Sequence, residues 1–165
     1  MMRRLAMAGL AAVAAATLVS AGVAQGAPLG SDVRTLRLFE RDTQQASIDL
    51  GDRGPGLGDL FVFSGDLTDT TATGRKLGRA DGSCTTTSGD ATTPGSLLCA
   101  ITFTLRGGQI ETQAVFDSAA LFGGTAQPLA ITGGTGEYRD AHGDGTGQVP
   151  DVNDPSTAMF VLKLA

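Results

Sequence analysis

From residue 33 onward, apolar and polar positions alternate in short runs, and Gly, Pro, Asp, Asn and Ser punctuate the gaps. Eight runs of strand length can be drawn: 33–40 VRTLRLFE, 59–66 DLFVFSGD, 76–87 KLGRADGSCTTT, 97–106 LLCAITFTLR, 109–117 QIETQAVFD, 128–132 PLAIT, 141–149 AHGDGTGQV and 157–164 TAMFVLKL. Helical periodicity is hard to find there. Eight short strands with hairpin-length links predict an all-β chain, an eight-stranded antiparallel β-barrel or else a sandwich. No internal repeat marks a second domain.

Two of the links predict register. LRGGQI sets Gly107-Gly108 between two strands, the composition of a two-residue primed turn. Such a turn opposes Leu105 to Ile110, Phe103 to Thr112, Ile101 to Ala114 and Cys99 to Phe116, giving one mostly apolar face. Thr102, Thr104, Glu111 and Gln113 take the other face. The preceding loop, SGDATTPG, closes symmetrically when Cys84 lies opposite Cys99. The same register sets Gly82 against Ile101, Ala80 against Phe103 and Gly78 against Leu105, small against large.

The first residues, MMRRLAMAGLAAVAAATLVSAGVAQG, change the setting of this domain. Arg3 and Arg4 precede an apolar run from Leu5 to Val19, and small residues follow, with Ala24 and Gly26 placed for cleavage. The reading is a signal peptide over 1–26 and a single barrel domain over 27–165, secreted to the extracellular space. The alternative is an uncleaved anchor, although the run falls short of the roughly 20 residues of a membrane span. No later segment is apolar enough to span, so no membrane partner is expected after cleavage. In an exported chain whose only cysteines are Cys84 and Cys99, the register above predicts a disulfide. A reactive thiol would need a lowered pKa and an exposed sulfur, which nothing here indicates.

Charge and composition exclude several chemistries. Without the leader, ten basic residues face seventeen acidic ones, a net charge of −7 that repels nucleic acid. One His and no Cys cluster rule out a multi-histidine metal site. Flavin, haem and nicotinamide signatures are missing, so no cofactor is expected.

The stretch AITGGTGEYRDAHGDGTGQ, residues 130–148, is the densest in glycine and holds the only His. A phosphate loop needs Lys and Ser or Thr after its glycines, and a dinucleotide loop needs a third Gly opening a helix. Neither pattern is complete. A calcium loop starting at Asp140 has His142 where Asp or Asn belongs. A structural turn fits best, with PLAIT and AHGDGTGQV as flanking strands. In the second strand Ala141, Gly143, Gly145, Gly147 and Val149 share one face, and His142, Asp144, Thr146 and Gln148 share the other.

LAITGGTGEYRDAHG resembles the V-x-GGTG-x-F-R-x-A-R-G element of plant dirigent proteins. LGRADGSCTTTS is similar to their V-G-R-A-Q-G strand, and LFVFSGDLTD to their V-V-F-D-D-x-L-T segment. Dirigent proteins share an eight-stranded antiparallel barrel with allene oxide cyclases. The resemblance implies a barrel whose cavity binds an apolar, oxygen-bearing small molecule and guides its cyclisation or isomerisation, and the Ala-rich leader marks it as a secreted, bacterial-type member. The resemblance also implies a homo-oligomer, a trimer or a dimer. Binding or carriage without chemistry, in the same barrel, is the alternative.

Carried over residue by residue, the resemblance offers Asp66, Arg139 and His142 as catalytic candidates. Asp66 matches the second Asp of the D-D pair, while Gly65 replaces the first. It shares parity with Leu60 and Val62, so it either enters an apolar cavity or caps the turn before LTD. Arg139 either polarises a substrate oxygen or forms a surface ion pair. His142 replaces the family's later Arg and either exchanges a proton or sits exposed on its strand. Tyr138, standing where Phe is usual, joins Phe103 and Ile101 as expected substrate-binding positions. Asp81 is expected to meet solvent.

Overall fold

The computed structural model describes residues 33–165 apart from 52, 53, 55, 70, 72, 91 and 94. The signal peptide expected over 1–26 lies outside the described residues. Eight strands follow in order: β1 (Arg34–Ile48), β2 (Leu60–Thr68), β3 (Lys76–Thr86), β4 (Ser96–Leu105), β5 (Gly108–Asp117), β6 (Gln127–Gly134), β7 (Gly143–Gln148) and β8 (Thr157–Leu164). Each pairs antiparallel with its neighbour in sequence, and β8 returns to β1 to close the barrel. Closure leaves no full-length edge strand open to further pairing.

The predicted strands all form, and the largest difference is at β1. It runs to Ile48 because ERDTQQAS shows no apolar alternation yet still pairs with β2. A bulge between Asp42 and Gln44 interrupts that pairing. β8 pairs only with Arg34–Arg41, so the far half of β1 is an exposed extension. A short helix, α1 (Ser118–Phe122), lies between β5 and β6, where no helix was expected. Asp117 caps it by accepting from the Ala120 N–H at 2.8 Å.

The β3–β4 register is the predicted one throughout: Gly78 faces Leu105, Ala80 faces Phe103, Gly82 faces Ile101, and Cys84 faces Cys99. The two cysteines form a buried disulfide. In a loop-entropy account, closing about 15 residues stabilises the fold by roughly 3 kcal/mol. The double variant Cys84→Ala/Cys99→Ala is therefore expected to unfold about 3 kcal/mol more easily in denaturant titration. An unchanged midpoint would show that the pairing constrains nothing.

The β4–β5 register differs from expectation by two residues. Leu105 pairs with Gly108, Phe103 with Ile110, Ile101 with Thr112, and Cys99 with Ala114. The turn is Arg106-Gly107, and Gly108 already belongs to β5. A side chain on Gly108 would run into the Thr135 carbonyl of the GGTG loop. The second glycine thus serves a close backbone approach, not the reversal. A shift of two preserves side-chain parity, so the predicted inward face survives.

The GGTG stretch is a turn only from Thr135 onward; Gly133 and Gly134, expected in the turn, end β6 and pair with Glu111 and Ile110 of β5. It carries a 3₁₀ turn at Gly136–Tyr138 and packs on the Arg106-Gly107 hairpin, with the Glu137 N–H donating to the Gly107 carbonyl at 2.8 Å. The side chains of Leu38, Leu67, Phe103, Ile110 and Leu162 are almost wholly buried and form a solid plug across the barrel. Phe103 meets Phe160 edge to face at 4.9 Å between ring centroids. One end of the barrel carries the short hairpins and the GGTG loop. The other carries the longer β1–β2, β3–β4 and β7–β8 links and α1.

Candidate functional site

Inward positions of β1 before the bulge are Leu36, Leu38, Glu40 and Asp42, so strand alternation drives two carboxyl groups toward the apolar interior. Glu40 is only 3% exposed. Its neighbours across the sheet are Leu67 on β2 and Ala158 on β8, and Asp42 faces Gly65. Gly65 makes room for the acid: a Cβ there would collide with Glu40 Oε1 and with the Arg41 carbonyl. The barrel interior supplies little solvation for charge. Desolvation, with hydrogen bonding and negative charge from Asp42 added, raises the Glu40 pKa to about 9. Burial also pushes Asp42 up, while its hydrogen bond with Glu40 pulls it down. At neutral pH Glu40 is a neutral carboxylic acid. Apart from the bond between the two carboxyls, Glu40 Oε1 and Asp42 Oδ1, both buried, have no hydrogen-bond partner among the described residues. An unpaired buried oxygen costs about 1–3 kcal/mol, and a guest bearing a polar group would relieve it.

The interior around this pair differs on its two sides. Toward the short hairpins the plug fills the barrel. Toward α1 the inward positions include Gly82, Ala114, Gly147 and Ala158, and Phe61, Phe63, Leu97, Ala114 and Ala158 are only partly buried. Phe61 and Phe63 stack at 5.7 Å, with the Phe63 ring lying over Gly82. Two cavities of about 340 and 420 Å³ open at this end and share Thr86 and Leu97, which face each other across β3 and β4. The first reaches Phe61, Cys84 and Asp59; the second is bounded by Ser118, Ala119 and Phe122 of α1. These cavities give the α1 end a largely apolar mouth, and Glu40 and Asp42 are not among their lining residues.

The residues expected to act as catalysts lie elsewhere. In β2 the inward set is Phe61, Phe63, Gly65 and Leu67, so Asp66 points outward, against the expected parity with a cavity. It bonds Lys76 at 2.6 Å and is about half exposed. The expectation failed because both faces of LFVF are apolar, which hides the inward parity. Arg139 is exposed, its Nε donating to the Gly136 carbonyl at 3.4 Å. His142 is exposed on the loop before β7, with Nδ1 2.9 Å from the Asp140 carbonyl oxygen. Asp81 faces outward against Arg79, as expected. Of the expected binding positions, Ile101 is a buried interior residue and Phe103 belongs to the plug. Tyr138 is buried at the opposite end, lining a cavity of about 560 Å³. Glu40 and Asp42 went unnoticed, although they continue the parity of Leu36 and Leu38.

Comparison with known proteins places this architecture. Residues 38–160 match the family model of the allene oxide cyclase barrel like domain. The chain belongs to that family. No curated protein sequence matches the chain. Among solved structures, this allene oxide cyclase-like barrel is similar to a pyocyanin demethylase at 28% identity and a TM-score of 0.65, covering 80% of this chain and all of that one. It is also similar to the Diels-Alderase AbmU of Streptomyces koyangensis, at 22% identity and a TM-score of 0.64, covering 81% of this chain and 64% of that one. A pterocarpan synthase dirigent protein follows at 16% identity and a TM-score of 0.63, covering 80% of this chain and 94% of that one. Likeness at those last two identities concerns the fold.

Proposed function

We propose that this allene oxide cyclase-like barrel binds an apolar, oxygen-bearing small molecule and guides its cyclisation or isomerisation, with Glu40 as proton donor and Asp42 as proton acceptor. The observation that carries the reading is the inward carboxyl pair, Glu40 buried and neutral at pH 7 beside a half-buried Asp42, with no hydrogen-bond partner beyond each other for Glu40 Oε1 and Asp42 Oδ1. The similar structures, a demethylase, Diels-Alderases and a pterocarpan synthase, support small-molecule chemistry in such a barrel. The leader supports an export step before the protein meets its substrate.

The chemistry follows from the environment. A guest entering from the α1 end lies between stacked Phe61 and Phe63 and small inward residues, which restrict its conformations and hold reacting atoms close. Glu40 delivers its proton to a carbonyl, epoxide or quinone-methide oxygen as a ring bond forms or a double bond moves. Asp42 takes a proton from the rearranged guest and returns it to Glu40. Atoms balance, as an isomerisation requires. Burial makes this possible, because an exposed Glu would be ionised and unable to donate.

Binding without chemistry draws on a different observation: Asp66, Arg139 and His142 all sit outside the interior, leaving Glu40 as the one acidic or basic side chain that is fully buried among the described residues. Native mass spectrometry of the exported protein identifies any retained guest, and incubation with that guest shows whether it changes. Conversion by the native protein and a loss of about 10²–10⁴-fold in Glu40→Gln, with guest binding retained, supports the proposal. A guest recovered chemically unchanged would establish the carrier instead.

A further inference from the structure

We propose that the barrel end carrying the short hairpins holds a second small-molecule site, shaped for an amphipathic anion: a compact carboxylate or phosphate head on an apolar body. The cavity there encloses about 560 Å³, within the roughly 300–1,000 Å³ range of ligand pockets. Leu36, Leu38, Leu77 and Leu105 line it together with Tyr138, and four cations, Arg34, Arg75, Lys76 and Arg106, join them. Glu137 is the one carboxylate on that lining.

This concentration of positive charge runs against the chain as a whole, which has twelve basic and seventeen acidic residues. Two of the cations are already engaged, Lys76 with Asp66 at 2.6 Å and Arg75 with Asp69 at 3.6 Å. Arg34 and Arg106 form no ion pair among the described residues. The Arg34 Cζ stands over the Tyr138 ring, 5.6 Å from its centroid, a placement from which a guanidinium can still offer N–H groups to an acceptor. A smaller recess of about 200 Å³ lies beside Arg34 and includes Glu137 and Asp140, so the approach from that side is acidic. The head group is therefore drawn toward Arg34 and Arg106, and the apolar body toward the leucines. A nucleic acid would satisfy the cations but not the leucines, and would be repelled by the acidic remainder.

The site is separate from the carboxyl pair. Leu38, 1% exposed, lines this cavity, whereas neither Glu40 nor Asp42 does. Occupancy of one site does not require the other.

Calorimetric titration of the purified protein with decanoate, decyl phosphate, decanol and decyltrimethylammonium tests the proposal, with 50 mM and 300 mM salt as arms. The expected result is binding of one or both anions at least ten times tighter than decanol or the cation, weakening several-fold at the higher salt. Whichever anion binds tighter identifies the head group. The double variant Arg34→Gln/Arg106→Gln is expected to lose at least ten-fold in anion affinity, and Glu40→Gln to retain it. Decanol binding as tightly as decanoate, salt-independent anion binding, or full affinity in the arginine variant would overturn it. So would loss of binding in Glu40→Gln, which would move the ligand to the interior acid.

Discussion

Between pH 4.5 and about 9 the protein is expected to lose stability steadily, and Glu40→Gln is expected to remove most of that slope. Glu40 ionises near 4.5, the ordinary value of a glutamate carboxyl, in the unfolded chain and at about 9 in the fold. Throughout that window the native state holds a proton that the unfolded state has released. Stability falls whenever the native state binds more protons, here by up to about 1.4 kcal/mol per pH unit for one group. The full contribution is present below pH 4.5 and is gone once pH exceeds the folded value. Asp42, also raised, adds in the same direction. Asp90 and Asp154 are lowered by hydrogen bonds, from Thr92 and Ser156 first, so their contributions are lost only as pH falls through their folded values. Denaturant titrations from pH 5 to 9 should show native protein weakening and Glu40→Gln nearly level, so the variant becomes the more stable of the two at the alkaline end. Parallel curves for the two proteins would mean that Glu40 is ionised and solvated in the fold, and its role as proton donor would go with it.

That a buried acid should be the most consequential group in the interior was partly legible in the chain. Leu36, Leu38, Glu40 and Asp42 are spaced by two, and the first pair marks which parity is inward. What concealed the acids is that a run ending in charged residues reads equally well as a strand leaving the core. Only the closed barrel, which places β8 beside β1 and Ala158 beside Glu40, shows that the strand continues inward past Leu38. Register was legible where a loop pinned it. The symmetric closure over Ser88–Gly95 located the disulfide correctly, since one residue of slip would have put Cys84 and Cys99 on opposite faces. At Gly107-Gly108 two adjacent glycines offered two turns, and the choice depended on the Thr135 carbonyl, remote in sequence. Asp66 was misplaced because LFVF is apolar on both faces, and the side that meets solvent is decided by Gly65 and Leu67 packing inward. The GGTG loop and its neighbours identified the family, yet Arg139 and His142 face solvent.

Placing a side chain at Gly65 is the second change with a large expected effect. The resemblance to dirigent segments puts an acid at this position, whereas here the acid comes from the opposite strand and occupies the space a Cβ would need. Gly65→Ala is expected to cost about 1–3 kcal/mol, the usual penalty of overpacking a filled interior. The clash has two parts with different fates. Glu40 Oε1 is the end of a side chain and can be removed, while the Arg41 carbonyl is backbone of the paired strand and cannot. In a double-mutant cycle, Gly65→Ala should therefore cost less in a Glu40→Ala background, with a coupling of about 0.5–3 kcal/mol, and still not become neutral. Gly65→Asp in the same background should restore a buried carboxyl with a raised pKa, recovering part of the pH-dependent stability that Glu40→Ala abolishes. Denaturant midpoints for the four members of the cycle, at pH 6 and pH 8, decide the matter. Strict additivity would show that Gly65 and Glu40 do not share a space, and that the missing Cβ answers only to the backbone of β1.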